Sequence, residues 1–391
     1  MISPIPTHPR NAGHRERIYQ LLRQMQAFGY DVHLLHVTLE PCGDLDAMRE
    51  CWGDRLHVFQ HEPLRTPNHC APSFHATRTG RVIRRLGAFL KKTIDFPYRV
   101  DDWHDPACEP IISELHRRFA FNVVCAEYVF CSKTLNLFGA QTLKILDTHD
   151  IFGNRHKIFQ RHRQQPVWFY TTRREERKAV RRADVILAIQ EHERRFFQQL
   201  VPEKQIITVG HFVELYQLPF KTEGKPTLLF FASSNPINVQ GFECFLRESW
   251  PLIQARVPVV KLIVAGSVCA ALPDSAAYAK LGVVGAAQDA YSLADVVISP
   301  ILFGTGLKIK NVEALGYAKP LVTTPAGAEG LEHGQQTAFW AAQMPDDFAR
   351  RVGDLLTDPT LRRKMCKQAY QFAAAIQQQN LRRLAEALQC A

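Results

Sequence analysis

Short runs of apolar residues alternate along this chain with longer segments in which apolar residues recur every three or four positions. Runs of four to seven apolar residues are typical of buried parallel strands, and the longer periodic segments are typical of amphipathic helices. Residues 15–28 predict one such helix, which Gly29 closes. The strands predicted in the N-terminal half are residues 31–37, 56–59, 121–127, 143–147 and 183–188.

A second series of predicted strands follows a linker at residues 212–225. These strands are residues 227–232, 260–265, 296–299 and 321–324. Two successive strand–helix arrays predict an α/β protein with two doubly wound, Rossmann-like domains facing across a cleft, with ligands beyond the carboxyl ends of the strands. We expect an N-terminal domain at 1–212, a second at 213–377, and a last helix at 378–391. That helix is expected to cross back to the N-terminal domain, or else to pack on its own domain.

Length and composition limit the class of protein. At 391 residues the chain is long for one core, and its 46% hydrophobic content is that of a soluble globular protein. No uncharged apolar run approaches the ~18 residues of a membrane span, and the first residues lack the pattern of a signal peptide. The ten cysteines include no Cys-x-x-Cys pair, which disfavours zinc and a disulfide scaffold. We therefore expect a cytoplasmic protein.

The net charge of +10 lies mainly in the first half of the chain. Residues 1–200 hold 30 basic and 22 acidic side chains, against 18 and 16 in the rest. Basic clusters occur at residues 78–92 and 155–182. We expect peripheral contact with an anionic membrane surface at the inner face of the membrane, although a solvated helix face has the same composition. No nucleic-acid motif accompanies these clusters.

One segment carries most of the chemistry. The predicted strand 296–299 ends at Pro300 and is followed by Gly304, Thr305, Gly306 and Leu307, where two glycines permit a tight loop. A helix pattern starts at about residue 310, so unpaired backbone N–H groups and the positive end of the helix dipole are expected at its start. This arrangement suits a phosphate, but similar glycine loops occur throughout α/β proteins.

Three charged side chains extend this prediction. Lys308 and Lys310 add positive charge at the same mouth, and Glu313 lies one turn inside the helix. Cations and amides suit the phosphates of a nucleotide diphosphate, and a carboxylate suits ribose or sugar hydroxyls. The alternative is that both lysines are solvated residues at a helix start.

With residues 319–320 (Lys-Pro) and 327–330 (Gly-Ala-Glu-Gly), this segment resembles the family 4 (group 1) retaining glycosyltransferases of the GT-B fold. The resemblance covers nearly the whole chain. It includes an opening Pro-x-Pro with Gly13-x-Arg15, an Asp-Thr-His-Asp motif at 147–150, and residues 250–266. It implies that the C-terminal domain binds a nucleotide-sugar donor and the N-terminal domain a carbohydrate or lipid-linked acceptor.

The resemblance assigns roles to particular residues. Gly13 would approach the donor, although a simple turn glycine is the alternative. His149 and Asp150 would orient the donor sugar and stabilise positive charge at its anomeric carbon; the alternative is that Asp147 or Asp150 caps the following helix. Lys308, with Lys310, would neutralise the leaving diphosphate.

Further donor contacts follow from the same resemblance. Glu313 would hold ribose hydroxyls. Ser233, Ser234 and Asn238, after the first strand of the donor domain, would line the phosphate pocket, although ordinary loop residues are nearly as good an explanation.

The chain departs from the family pattern in two places. Many members carry two glutamates eight residues apart, but Thr305 stands where the first would be, which leaves the sugar open. The chain also begins inside what is usually the first strand, so we expect a shortened strand or a misassigned start. Asp44 and Asp46 form an Asp-x-Asp, which we interpret as a helix cap rather than a metal site; no metal or other cofactor is expected.

The predicted function is transfer of a hexose-type sugar from a nucleotide-diphosphate sugar with retention, in the synthesis of a cell-surface polysaccharide or glycoconjugate. Two alternatives remain open. A nucleotide-sugar 2-epimerase shares this build and needs no acceptor. A non-catalytic scaffold with a glycosyltransferase-like fold need not bind nucleotides at all.

Overall fold

Two parallel β-sheets organise the described part of the chain, which in this computed structural model comprises residues 1–39, 44–60, 97–162, 166, 168–220 and 224–389. Contacts among these residues divide the chain into two units. The first contains Met1–Pro9, Leu21–Val209 and Arg382–Ala391, and the second contains Arg10–Gln20 and Gly210–Leu381. The predicted basic cluster at residues 78–92 lies outside the described residues.

The first sheet has seven strands in the order β3-β2-β1-β4-β5-β6-β7, and every pair is parallel. Its strands are β1 Ile2–Ser3, β2 Leu34–Val37, β3 Leu56–Phe59, β4 Val123–Glu127, β5 Leu143–Asp147, β6 Val185–Ala188 and β7 Gln205–Thr208. The order reverses between β1 and β4, which is the switch point where doubly wound sheets bind ligands.

Helices connect these strands. They are α1 Gly13–Ala27, α2 Leu45–Trp52, α3 Glu109–Phe119, α4 Arg155–Arg161, α5 Arg173–Val180 and α6 Glu191–Leu200, with a 3₁₀ segment at Val129–Leu137. Gly29 follows α1 with φ of 89°, as a closing glycine should. Asp44 accepts a hydrogen bond from the Ala47 N–H at 2.9 Å, so the helix-cap interpretation of the Asp-x-Asp pair is confirmed.

The second sheet has six parallel strands in the order β10-β9-β8-β11-β12-β13. Its strands are β8 Thr227–Phe231, β9 Lys261–Ala265, β10 Ala279–Gly282, β11 Val296–Ser299, β12 Leu321–Thr323 and β13 Trp340–Ala341. Here the order reverses between β8 and β11, so the loops after these two strands flank the switch point.

The helices of the second series complete the chain. They are α7 Pro236–Glu248, α8 Trp250–Arg256, α9 Val268–Ala271, α10 Ala287–Leu293, α11 Ile309–Gly316, α12 Asp346–Thr357 and α13 Pro359–Leu388. The division into units falls inside α1 and inside α13. None of the described helices is long and apolar enough to cross a membrane.

The expected fold class, two doubly wound parallel sheets, is confirmed. Each of the nine predicted strands is present, with ends that differ by at most three residues. The sequence did not predict β7, β10 and β13. β10 alternates exposed and half-buried residues at the sheet edge, and β13 has only two residues, so neither offers a buried apolar run.

The loop that follows β11 depends on close backbone packing in the second unit. Gly241 of α7 packs against the carbonyl oxygen of Pro300, at the end of β11, and a Cβ there would overlap that oxygen. Alanine normally stabilises a helix relative to glycine by up to about 1 kcal/mol.

At Gly241 the overlap with the Pro300 carbonyl oxygen makes alanine destabilising instead. We expect Gly241→Ala to lower the free energy of unfolding by roughly 1–3 kcal/mol, as overpacking does. Gly139→Ala, where a Cβ meets nothing within 4 Å, is the control. Urea unfolding measures both, and a Gly241→Ala protein as stable as wild type would refute this packing.

Candidate functional site

Residues 304–307, which we call the glycine loop, lie between β11 and α11 and have a backbone that requires glycine. Gly304 has φ of 134° and Gly306 has φ of 76°, values that L side chains rarely adopt. Between these glycines and Ile309 lies Lys308, which occupies the N-cap position of α11 without a side-chain cap. The loop therefore leads directly into the first turn of α11, next to the β8–β11 switch point.

Lys308 folds back over this loop. Its ammonium group donates to the carbonyl oxygens of Thr305 at 3.1 Å and Gly306 at 2.6 Å. These two bonds hold the positive charge of the ammonium group at the helix start. Thr305 and Leu307 complete the loop and are half-buried.

Gly13 lies against the same helix start. A Cβ added to Gly13 would lie 3.2 Å from both Cβ and Cδ1 of Ile309, which is closer than ordinary contact. Gly13 is the first residue of α1 and Ile309 is the first residue of α11, so the N-terminal ends of two helices meet here. Two positive helix ends side by side favour an anion. Gly13 does not have a positive φ, so close approach explains this glycine better than a turn.

Half-buried Lys310 forms an ion pair with buried Glu313. The Lys310 ammonium lies 2.6 Å from Oε2 of Glu313 and 4.1 Å above the ring centre of Phe231. Burial raises the pKa of Glu313, and the charge of Lys310 opposes this shift. The hydroxyl of Tyr291 donates to the Lys310 carbonyl at 3.1 Å and also lies 3.4 Å from Oε2 of Glu313. Lys310 thus contacts Glu313 rather than the glycine loop.

A cavity of about 140 Å³ opens beside this ion pair. Its walls include the cavity loop, which we define as residues 283–288, and the carboxylates Glu16 and Glu214. Arg10 spans the latter two, with Nη2 at 2.6 Å from Glu16 and 2.8 Å from Glu214. A cavity lined by loop residues and by a buried carboxylate suits the hydroxyls and ring edges of a nucleoside.

His211 also lines this cavity and is 1% exposed. Within the described residues, neither of its ring nitrogens has a hydrogen-bond partner. Burial, assisted by the positive charge of Arg17, lowers the pKa of His211 well below its usual range. The imidazole is therefore neutral, with one donor and one acceptor unused.

The loop after β8 holds the other predicted donor residues. The side-chain amide of Asn238 donates to the carbonyl oxygen of Ser233 at 3.0 Å and lies 3.2 Å from its hydroxyl. The N–H of Ser234 donates to the Ser267 hydroxyl at 3.0 Å. Ile237, at the start of α7, lies 3.4 Å from the Cβ position of Gly304. This loop therefore borders the glycine loop across the switch point.

In the first unit, His149 follows the end of β5 and is held by a carboxylate from the neighbouring strand. Its Nε2 lies 2.5 Å from Oε2 of Glu127 and 3.6 Å from Oδ2 of Asp147. Glu127 and Asp147 are paired residues at the ends of β4 and β5, and both are fully buried. The imidazole also stacks on Tyr128, with ring centres 3.9 Å apart.

The backbone at His149 is strained, with φ of 60° in the left-handed region. Such conformations cluster where the surrounding structure fixes a functional side chain. Glu127, Asp147 and the Tyr128 ring together determine the position of this imidazole. The sequence motif located His149, but it gave no indication of Glu127.

Asp150 has a different environment from His149. Its Oδ1 accepts a hydrogen bond from the Ile151 N–H at 2.8 Å, and its Oδ2 lies 3.3 Å from Nε of Arg155. Helix α4 begins at Arg155 with Asn154 as its N-cap, so Asp150 does not cap that helix. The alternative helix-cap role for Asp150 is therefore wrong, because the turn at 151–154 separates it from the helix start.

The turn after His149 is fixed by Glu176 of α5. This fully buried carboxyl accepts hydrogen bonds from the N–H groups of Phe152 at 2.7 Å and Gly153 at 3.0 Å. Burial raises the pKa of Glu176 to about 8, although the two N–H donors favour ionisation. The sequence gave no indication of this residue, because it lies within a charged helix segment.

This raised pKa predicts a pH dependence of stability. The folded state holds the proton more tightly than the unfolded state, so the contribution is fully present below about pH 4.5 and is lost as pH rises through about 8. Relative to Glu176→Gln, wild type should lose about 1 kcal/mol of unfolding free energy per pH unit in that window.

Denaturant unfolding from pH 5 to 9 checks this. Glu50→Gln, which removes an exposed carboxyl, is the control. A wild-type minus Glu176→Gln difference that does not change with pH would refute the shift.

Three of these groups also have the spacing of metal ligands. One donor atom from each of Glu127, Asp147 and His149 lies within 4.8 Å of the others. The direct hydrogen bond between His149 and Glu127 already satisfies the imidazole at Nε2. All seven described cysteines are free thiols.

The structure thus brings Gly13, the glycine loop, Lys308, Lys310 and Glu313 into the second unit, and His149 and Asp150 into the first. Sequence reasoning missed Arg10, His211, the cavity loop and Glu127. An arginine or histidine outside a motif carries no signal of its own, and Glu127 looks like the end of an ordinary strand.

Comparisons with known proteins agree with this architecture. Residues 225–358 match the family model described as Glycosyl transferases group 1. Sucrose-phosphate synthase from Thermosynechococcus elongatus has a similar structure, with a TM-score of 0.66, 13% identity, and coverage of 99% of this chain and 98% of that one. No curated protein sequence matches the chain.

Two further solved structures contain ligands. Anabaena Alr3699/HepE in complex with UDP and glucose has a TM-score of 0.61 at 15% identity, with 100% of this chain and 99% of that chain covered. S. aureus TarM in complex with UDP has a TM-score of 0.63 at 9% identity, with 97% and 99% covered. At these identities the likeness shows the fold. The chain therefore has the GT-B fold, and its residues 225–358 are similar to the group 1 glycosyl transferases.

Proposed function

We propose that this protein is a retaining glycosyltransferase that transfers a hexose-type sugar from a nucleotide-diphosphate sugar to a carbohydrate or lipid-linked acceptor. One observation carries the proposal: the glycine loop and Lys308 lead into α11, whose first residue, Ile309, lies against Gly13, the first residue of α1, beside the β8–β11 switch point. The match of residues 225–358 to the group 1 model supports it, as does the fold shared with structures bound to UDP.

The donor would bind with its diphosphate at the glycine loop and its nucleoside in the adjoining cavity. Backbone N–H groups at the helix starts and the Lys308 ammonium supply positive charge to the phosphates. Glu313 accepts hydrogen bonds from ribose hydroxyls, and the charge of Lys310 opposes the rise in the pKa of Glu313 that burial causes. The cavity loop presents backbone groups to the base.

The reaction we propose is a front-face displacement. The bond from the anomeric carbon to the phosphate oxygen breaks, and a bond from that carbon to the acceptor oxygen forms on the same face. The acceptor's proton passes to the departing phosphate oxygen. Lys308 and the loop amides stabilise the charge that develops on the diphosphate, and His149 and Asp150 orient the donor sugar.

A two-stage experiment tests this function. UDP-, GDP- and dTDP-sugars are first screened for binding, and those that bind are then incubated with saccharide and lipid-linked acceptors, with mass detection of products. We expect one donor to bind and to transfer its sugar with retained anomeric configuration. Conversion of the donor without an acceptor would instead identify an epimerase, and no binding would leave a scaffold.

We also predict that the reaction is independent of metal ions. The proposed diphosphate site uses Lys308 and backbone N–H groups where a metal-dependent enzyme would use a cation. Transfer should therefore be unchanged after dialysis against a chelator. A chelator-sensitive activity that returns with Mn²⁺ or Mg²⁺ would show that the Glu127–Asp147–His149 group, or another site, holds an ion.

Cell-surface polysaccharide or glycoconjugate synthesis at the inner face of the membrane is the setting we propose for this activity. It is supported by the basic balance of residues 1–200.

A further inference from the structure

A second cavity lies at the amino ends of β11 and β12 in the second sheet. Asp295 precedes β11 and Lys319 precedes β12, so both stand at the amino ends of these strands, whereas the glycine loop follows the carboxyl end of β11. The cavity has a volume of about 340 Å³. It is therefore separate from the proposed donor site, and the proposed function leaves it unexplained.

The walls of this cavity are strongly basic. Four basic side chains line it, and the only carboxylate among its described lining residues is Asp295. Asp295 is itself occupied, because its Oδ2 accepts a hydrogen bond from the Thr227 N–H at 2.9 Å. The basic residues are Lys319, Arg362, Arg363 and Lys367.

Helix α13 presents three of these side chains on one face. Arg362, Arg363 and Lys367 recur at the spacing of adjacent helical turns, with Cys366 between them. Both guanidinium groups lie over the ring of Phe220, with Cζ at 5.2 Å for Arg362 and 4.8 Å for Arg363. One aromatic ring thus holds two like charges beside each other.

The side chain of Arg362 is held in place by the end of α12. It is 8% exposed, and its Nη1 donates to the carbonyl oxygens of Leu355 at 3.1 Å and Leu356 at 3.4 Å, in the last turn of α12. Its buried Nε has no hydrogen-bond partner among the described residues and lies 3.8 Å from Oδ1 of Asp295. A buried donor without a partner is costly, and a bound acceptor would satisfy it.

Two exposed side chains add further positive charge to the wall of this cavity. Arg363 and Lys367 are exposed, and neither forms an ion pair with any of the described residues. Four positive charges around one cavity, set against the single carboxylate of Asp295 among the described lining residues, raise the free energy of the folded protein, and an anion with several acceptor oxygens relieves this cost. A phosphate group fits both the charge and the fork of donors that an arginine pair presents.

We propose that this cavity, which we call the Arg362–Arg363 pocket, binds a phosphate group. The phosphate belongs either to a small soluble molecule or to an anionic lipid headgroup. The inference does not depend on the glycosyltransferase proposal, because it rests on residues near the amino ends of β11 and β12, whereas the glycine loop follows the carboxyl end of β11.

The test uses two neighbouring residues of α13 whose reversal changes the net charge equally. Arg363→Glu alters the pocket, whereas Lys364→Glu alters an exposed residue that does not line it. Both are made in the full chain carrying Lys308→Ala, so that the glycine loop contributes little to phosphate binding. Inorganic pyrophosphate is titrated calorimetrically, and co-sedimentation is measured with phosphatidylcholine vesicles with and without phosphatidylglycerol.

We expect Arg363→Glu to weaken binding by about tenfold or more in one arm, while Lys364→Glu stays close to its parent. Loss confined to pyrophosphate identifies a soluble phosphate ligand, and loss confined to phosphatidylglycerol vesicles identifies a lipid headgroup. Equal behaviour of the two variants in both arms, or no binding by the parent in either arm, would overturn the proposal. Phe220→Leu, which removes the ring but keeps an apolar side chain, should weaken the same arm.

Discussion

Replacing Lys308 with alanine should reduce sugar transfer by about 10²–10³-fold, since preorganised donors to a developing anion contribute roughly 2.7–4 kcal/mol each. The side-chain ammonium donates to the loop carbonyls of Thr305 and Gly306, and Lys308→Ala keeps every backbone group of the helix start. The loss should fall mainly on kcat, because the charge on the leaving diphosphate grows towards the transition state.

Steady-state kinetics with the donor identified in the binding screen measure this effect. Lys364→Ala, an exposed lysine change, is the control for a general effect of charge. Lys308→Arg should recover part of the activity, since it keeps the charge but changes its geometry. Undiminished transfer by the Lys308→Ala protein would contradict the assignment of this residue to the leaving group.

The second large effect concerns His149 and its carboxylate partner. His149→Ala should lower kcat by about 10²–10⁴-fold, the range for a positioned side chain in catalysis. Glu127→Gln should lower it by roughly tenfold to a hundredfold, because a hydrogen bond to a charged group contributes about 1.5–3 kcal/mol. Glu127 acts through His149, so it is a positioning residue.

The double variant separates this account from a merely structural role for Glu127. If Glu127 only positions His149, the Glu127→Gln change should have little effect on kcat once His149 is alanine. Unfolding of each variant is measured alongside, because Glu127 is fully buried. Additive effects of the two changes on kcat, with unchanged stability, would show that Glu127 does not act through His149.

Much of the fold could be predicted from the sequence because parallel strands buried on both faces appear as uninterrupted apolar runs. Residues 143–147 and 296–299 have the same ends in the prediction and in the structure. Edge strands such as β10 were not predicted, because their exposed positions interrupt the run of apolar residues. Helix α13 is 30 residues long, whereas only its last part was expected as a helix. Its long polar stretch hid the continuity of the pattern.

The candidate site was predictable only where its residues are close in sequence. The glycine loop and Lys308 lie within a few positions of one another, so their chemistry is visible without the fold. Contacts between Gly13 and Ile309, or between Glu127 and His149, join separate elements and depend on strand order and register. The pairing of Lys310 with Glu313 was likewise not predicted, because an i, i+3 pair on a helix is usually a solvated one.

In the proposed function, the glycine loop and the start of α11 hold the diphosphate of a nucleotide-sugar donor. Calorimetric titration of UDP, GDP and dTDP into wild type, Lys308→Ala and Lys364→Ala measures whether they do. We predict that one of these nucleotides binds wild type and Lys364→Ala equally, and binds Lys308→Ala at least about tenfold more weakly. Binding that is the same in all three proteins, or absent from wild type for all three nucleotides, would contradict the claim.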